Sequence, residues 1–112
     1  MDWLLPVGQI ALLAVVATIQ NMAFTWVSRT RNSADPMAHR RAALCSNSIW
    51  FAAQVLILST VWPAVTSGEW WWVVGAGLTY TLSTTFGSEL AMRWLLNTET
   101  GKRRVGARKD EQ

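Results

Sequence analysis

Three apolar stretches alternate with short polar ones along the chain. Residues 3–27, 44–65 and 70–96 are dense in Leu, Val, Ala and Trp. Each reaches the roughly 20 mostly apolar residues that a helix needs to cross a hydrocarbon core of about 30 Å. None carries the continuous polar face that a helix of a water-soluble bundle requires. The pattern predicts an all-α integral membrane protein with three transmembrane helices in a single domain, residues 1–96, followed by a tail at 97–112.

The polar interruptions set the boundaries. Pro6 falls in the first turns of the first span, where a missing N–H does least harm. The inner loop runs from Arg29 to Arg41. Within it Ser33 or Asp35, with Pro36 following, makes an N-cap and first turn, so a short helical lead should run from Pro36 into the second span. That span should end at Trp62 and Pro63, and Thr66-Ser67-Gly68-Glu69 should reverse the chain. The tail is charged, lacks apolar periodicity and is expected to be disordered. Met1-Asp2-Trp3 has no positive n-region, so the first span reads as a retained helix and not a cleaved signal.

Charge orients these spans. All ten Lys and Arg residues lie in Arg29–Arg41 or in Arg93–Lys109, while the opposite side carries only Asp2 and Glu69. Lys and Arg concentrate in cytoplasmic loops, which places the N-terminus outside and the C-terminus in the cytoplasm of a bacterial inner membrane. Tryptophan, which favours the membrane boundary, agrees. Trp3, Trp62 and Trp70–Trp72 fall at outer ends, Trp26 and Trp94 at inner ends, and Trp50 about two turns inside a span. The pI near 9.8 therefore points to anionic lipid head groups and not to nucleic acid. The head groups would meet the loop (Arg29, Arg31, His39, Arg40, Arg41) and the tail (Lys102, Arg103, Arg104, Arg108, Lys109).

Catalytic chemistry is not visible. There is no nucleophile–base pair, phosphate loop or paired-carboxylate site, and Gly87-Ser88-Glu89 lacks the strand–turn–helix setting of a nucleophile elbow. His39 alone supplies no metal site. Cys45 alone allows no internal disulfide and reads as a small buried apolar residue. No enzyme activity and no cofactor are expected.

The third span has the most unusual pattern. Gly75, Thr79, Ser83, Gly87 and Ala91 recur every four residues, a small-residue ridge that lets another backbone approach closely. A second row, Gly77, Thr81 and Thr85, leads to Glu89. The first span has a weaker matching stripe of Ala14, Thr18, Asn21, Thr25 and Ser28, with Gln9 and Gln20 on a neighbouring face. In the second span Asn47 and Gln54 align. The ridge and stripe serve either packing inside one three-helix unit or contact between copies in a homo-oligomer. Amides in hydrocarbon need partners, so Asn21, Asn47 and Gln54 should face other helices. Glu89 is the acid inside a span, and Arg93 follows in the favourable order for an i,i+4 pair. A boundary ion pair and a gating or proton-coupled role both remain open for it. Asn21, Asn47, Gln54, Glu89 and Arg93 are expected as an intramembrane polar cluster, and one that could lock the bundle.

Two strings carry a resemblance. Ser28-Arg-Thr-Arg-Asn-Ser33 precedes His39, then Ser46-Asn47 and Trp50-Phe51, and later Gly87-Ser88 with Met92-Arg93. Over residues 24–94 this resembles a family of small three-span membrane proteins of tailed bacteriophages. The overall plan separately resembles class I holins of the lambda type, in length, span number, orientation and basic tail. The next Met is Met22, inside a span, so the lambda-type dual start is missing. The holin resemblance implies accumulation in the inner membrane, assembly through helix contacts, and lesions that serve host cell lysis. The alternatives are a small oligomeric channel or carrier using Asn21, Asn47 and Glu89, and an accessory subunit that binds a cytoplasmic partner through Arg29–Arg41.

Overall fold

The computed structural model describes residues 4–108. Three long helices account for most of them: α1 (Leu4–Arg31), α2 (Pro36–Thr66) and α3 (Trp70–Thr98), followed by a single 3-10 turn at Gly101–Arg103. At 1.5 Å per residue each long helix extends for roughly 42–46 Å. The molecule is accordingly a rod of 59 × 21 × 18 Å. α1 and α2 are long and apolar enough to cross a membrane. α3 is as long but does not reach the same hydropathy standard, because tryptophan, glycine, serine and threonine hold many of its positions.

Local chemistry explains the connections. Asp35 is the N-cap of α2 and its carboxylate accepts from the Ala38 N–H at 3.1 Å, with Pro36 in the first turn. The Ser33 hydroxyl donates to the Thr30 carbonyl at 2.7 Å and accepts from the Asp35 N–H at 3.4 Å, closing the loop locally. α2 continues through Pro63 to Thr66 instead of stopping at the proline. Only one further turn follows, and the Thr66 and Ser67 hydroxyls bond back to the Trp62 and Pro63 carbonyls. Gly68, at φ 77°, then turns the chain in the left-handed region. Its N–H reaches the Val65 carbonyl and the Glu69 N–H reaches the Ala64 carbonyl, which satisfies the helix end and sends α3 back alongside.

α1 is the hub. α2 and α3 both pack along it, α3 more extensively, while α2 and α3 touch each other little. The buried apolar residues are mostly alanines (Ala17, Ala23, Ala42, Ala53, Ala64, Ala76, Ala91), with Leu13, Val27 and Leu95. The large apolar side chains point outward instead: Leu44, Phe51 and Leu58 on α2, and Leu78, Leu82 and Trp94 on α3, are all at least 60% exposed. Of the most apolar stretch of α2 only 11% is buried. α2 turns a thin line of Ala42, Ser46, Ala53 and Ala64 towards the bundle, and this leaves Cys45 exposed rather than buried as expected.

The tail also departs from the expectation of disorder. Asn97 and Thr98 belong to α3, and the chain then folds back on the α1–α2 loop. The Ala34 N–H donates to the Lys102 carbonyl at 2.9 Å, and the Gly106 N–H to the Asn32 carbonyl at 3.0 Å. Gly101 and Gly106, both at positive φ, make the reversals that bring these groups together. Trp3 and Lys109, assigned above to the outer belt and the basic tail, lie outside the described residues, as do positions 110–112.

Gly87 fixes the distance between α1 and α3. A Cβ built there would overlap the Thr18 carbonyl oxygen, whereas one built at Gly75 would meet nothing within 4 Å. We expect Gly87→Ala to lower unfolding stability in detergent by about 1–3 kcal/mol, because the helices must separate. Gly75→Ala should be neutral or slightly stabilising by helix propensity. Equal effects of the two substitutions on thermal unfolding would remove Gly87 as the point of closest approach.

Candidate functional site: a polar seam and its ion-pair clasp

Residues 18, 21, 25 and 29 of α1 follow one another at spacings of three and four, so they share a face. That face lies on α3, and polar groups cross the seam at successive turns. The Gln20 amide donates to the Tyr80 hydroxyl at 3.3 Å. The Asn21 amide donates to the Thr84 backbone carbonyl at 2.7 Å. The hydroxyls of Thr25 and Ser88 lie 3.0 Å apart. Thr18 sits against Gly87 one turn away. Thr84 and Thr18 return their own hydroxyls to carbonyls on their own helices, so neither leaves a donor idle. One buried atom, Gln20 Oε1, has no partner among the described residues.

At its basic end the seam closes on an ion pair. The Arg29 guanidinium makes a two-pronged contact with Glu99, through Nε to Oε1 and through Nη2 to Oε2, the latter at 2.7 Å. Nη1 lies 3.7 Å from the Met92 sulfur. The two side chains are 19% and 9% exposed, so the pair is largely withdrawn from solvent. The planar guanidinium fork matches the carboxylate geometry and is charge-assisted. Its hydrogen bond and charge hold the Glu99 carboxyl below the usual carboxylate range, against the opposing effect of burial, and raise Arg29 further. Beside this clasp the Thr30 hydroxyl lies 3.0 Å from His39 Nδ1, joining α1 to the first turns of α2.

The structure divides the residues singled out from sequence. Of the α3 ridge, Gly87 and Ala91 are buried against α1, while Gly75, Thr79 and Ser83 are only half-buried. On α1, Ala14, Thr18 and Asn21 are half-buried along the seam. Asn21 and Glu89 line the same open groove beside Thr84, Thr85 and Ser88. Gln54 lines a different cleft, with Leu13 and Tyr80. Asn47 is exposed on α2. The five polar residues expected as one cluster are thus spread over separate surfaces, because α2 stands away from α3. Glu89 and Arg93 pair at 2.8 Å within α3, with side chains 57% and 76% exposed. Of the loop residues, Arg29 turns inward to Glu99, whereas Arg31, Arg40 and Arg41 remain exposed.

Sequence reasoning did not find Glu99, Tyr80, Thr84 and Ser88 as partners. Glu99 is a single acid just past the end of an apolar run, close in sequence to four basic residues. That isolation was the available signal. Among the described residues no group of three His, Cys, Asp or Glu side chains could hold a metal ion.

No protein-family model, curated protein or solved structure matches this chain.

Because Glu99 has a lowered pKa in the fold, its contribution is present above its ordinary value of 4.5 and is lost as pH falls through the folded value. Stability in detergent should therefore be flat near neutrality and decline below about pH 4.5. Glu99→Gln should weaken the protein at neutral pH and flatten the acid limb, as read by thermal unfolding across pH. An unchanged acid limb in that variant would dismiss the clasp as the origin of the acid sensitivity.

Proposed function

We propose that this chain is a three-span protein of the bacterial inner membrane that self-associates and permeabilises the membrane in the manner of a holin. In this reading α3 is the third span, the N-terminus lies outside, and the Arg29–Arg41 loop and the tail face the cytoplasm. The distribution of side chains supports a lipid environment: alanines inside, and leucine, phenylalanine and tryptophan outside. In water such a surface would be a liability, since monomeric soluble proteins rarely expose apolar area on this scale.

The observation that carries self-association is a polar file on α3. Gly77, Thr81, Thr85, Glu89 and Arg93 follow at intervals of four and are all exposed. The threonines are internally satisfied, Thr81 donating to the Gly77 carbonyl at 2.9 Å and Thr85 to the Thr81 carbonyl at 2.8 Å. This makes the file smooth, small and dry over its outer part. At its inner end it carries an ion pair that hydrocarbon tolerates poorly. A second copy of α3 could lie against the small residues and help shield the charges. Assembly of several copies would gather their Glu89–Arg93 pairs around a common interior, where water can enter. Lesion growth then follows from the number of copies, and no catalytic group is needed.

A selective channel is the second reading. It is favoured by the groove that Asn21 shares with Ser88 and Glu89, which would line a narrow path between α1 and α3 of adjacent copies.

Inducible expression in a bacterium separates the two. A lesion former stops growth abruptly and releases a cytoplasmic reporter protein, whereas a channel passes ions alone and changes selectivity in Glu89→Gln. Gly77 is exposed and a Cβ there meets nothing within 4 Å, so Gly77→Leu is expected to leave the monomer folded, as its helical content in detergent would check. It should delay or abolish killing and remove cross-linked oligomers. Undiminished killing by Gly77→Leu would sink the α3 file as the assembly surface.

A further inference from the structure

The cytoplasmic end of the bundle contains a cleft of about 410 Å³ between the start of α2 and the end of α3, floored by α1. Two indoles, Trp26 and Trp94, and the side chains of Met37 and Leu95 give it an apolar wall. Arg41 and Arg103 line it as well. Two acids also line it, but both are engaged. Glu99 is held by Arg29, and Asp35 caps the Ala38 N–H. The guanidiniums are not similarly committed. Arg41 has no hydrogen bond or ion pair among the described residues, and Arg103 reaches only the Thr100 hydroxyl, at 3.5 Å. The positive end of the α2 dipole opens at the same place.

We infer that this cleft seats the phosphate headgroup of an anionic membrane lipid. The phosphate lies between Arg41 and Arg103, and the glycerol and first methylenes run along Trp26, Trp94 and Leu95. The inference rests on the membrane placement proposed above, which puts this end of the bundle at the cytoplasmic head groups. Three features argue for it together. The cleft is amphipathic, as is a lipid at the level of its glycerol. Guanidinium matches phosphate geometry. Indole rings prefer that depth in a bilayer. A free phosphate ion would use the arginines but gain nothing from the apolar wall. The arginines come from the first turns of α2 and from the turn after α3, so a lipid seated there would tie together two elements that otherwise touch little. The tail's return onto the α1–α2 loop, through the Ala34–Lys102 and Asn32–Gly106 backbone bonds, is what carries Arg103 to the cleft.

The test uses the full-length chain in mild detergent, with phosphatidylglycerol or phosphatidylcholine added and retained lipid counted by native mass spectrometry. Phosphatidylglycerol should be retained in preference. Arg41→Gln with Arg103→Gln should weaken that retention about tenfold or more, because each removes a direct charge-assisted contact to the phosphate. Arg40→Gln with Arg108→Gln removes the same charge outside the cleft and should change retention less than about twofold, because exposed charges that make no direct contact with the phosphate are screened by salt. Equal losses in the two double variants, or no preference for phosphatidylglycerol, overturns the site. Displacement of the lipid by millimolar inorganic phosphate overturns the lipid assignment in favour of a free anion. Flotation with neutral phosphatidylcholine vesicles keeps the two levels apart. A chain that floats yet shows no lipid preference refutes this site alone, and a chain that fails to float removes the membrane placement beneath it.

Discussion

The contact on which the bundle depends is the approach of the α3 backbone to the α1 backbone at Gly87 and Thr18. In the membrane setting proposed above there is little hydrophobic drive for the two helices to associate, because acyl chains solvate leucine as well as another helix does. Short range forces must supply the adhesion instead. Only when the backbones nearly touch can the Asn21 amide reach the Thr84 carbonyl, or the Thr25 hydroxyl reach that of Ser88. The glycine makes no hydrogen bond through a side chain, yet it sets the spacing that the others require. One turn further along, Ala91 keeps the seam narrow, and at its basic end the two-pronged Arg29–Glu99 ion pair closes it.

This seam also explains how the rest of the surface is divided. Since α1 receives both neighbours, two of its faces are occupied and even its glutamine at position 20 is buried, while Leu12, Val15, Ile19 and Phe24 stay exposed. α2 and α3 each spend only one narrow line of small residues on α1. Their remaining circumference carries bulky apolar groups, interrupted on α3 by the file that ends in Glu89 and Arg93. Small residues thus occur on α3 in two distinct environments: a closed row against α1 and an open one facing away. The closed row holds the bundle together, and the open row is the one the proposed assembly would use.

Features of short range were legible in the sequence. The three helices, the Asp35–Pro36 cap, and the reversal at Gly68 each rest on residues within a few positions of one another, where local sterics and capping decide the outcome. The Glu89–Arg93 pair was visible for the same reason. What could not be read was which distant side chain completes each polar group. Arg29 and Glu99 are seventy residues apart, and nothing in either neighbourhood names the other. The tail looked disordered because its composition is polar. Its order comes from backbone hydrogen bonds to the α1–α2 loop, which leave no trace in side-chain periodicity. The four-residue ridge on α3 was visible as a pattern, but where it stops being a contact with α1 depends on how the helices diverge, and spacing alone does not encode that. Cys45 illustrates the opposite error: its residue type suggested burial, while the helix on which it sits buries almost nothing.

The hub position of α1 has a bearing on biogenesis. Of the three helices, α1 is made before the two that pack on it, so in the proposed membrane setting each newcomer finds its docking partner already in place. α2 can take its place along α1 before α3 has been made, and α3 can then close the seam without displacing it. Had the hub been the last helix, the first two would have waited in the lipid with scarcely any mutual contact. Chain order and packing order coincide here, which favours orderly assembly of the bundle.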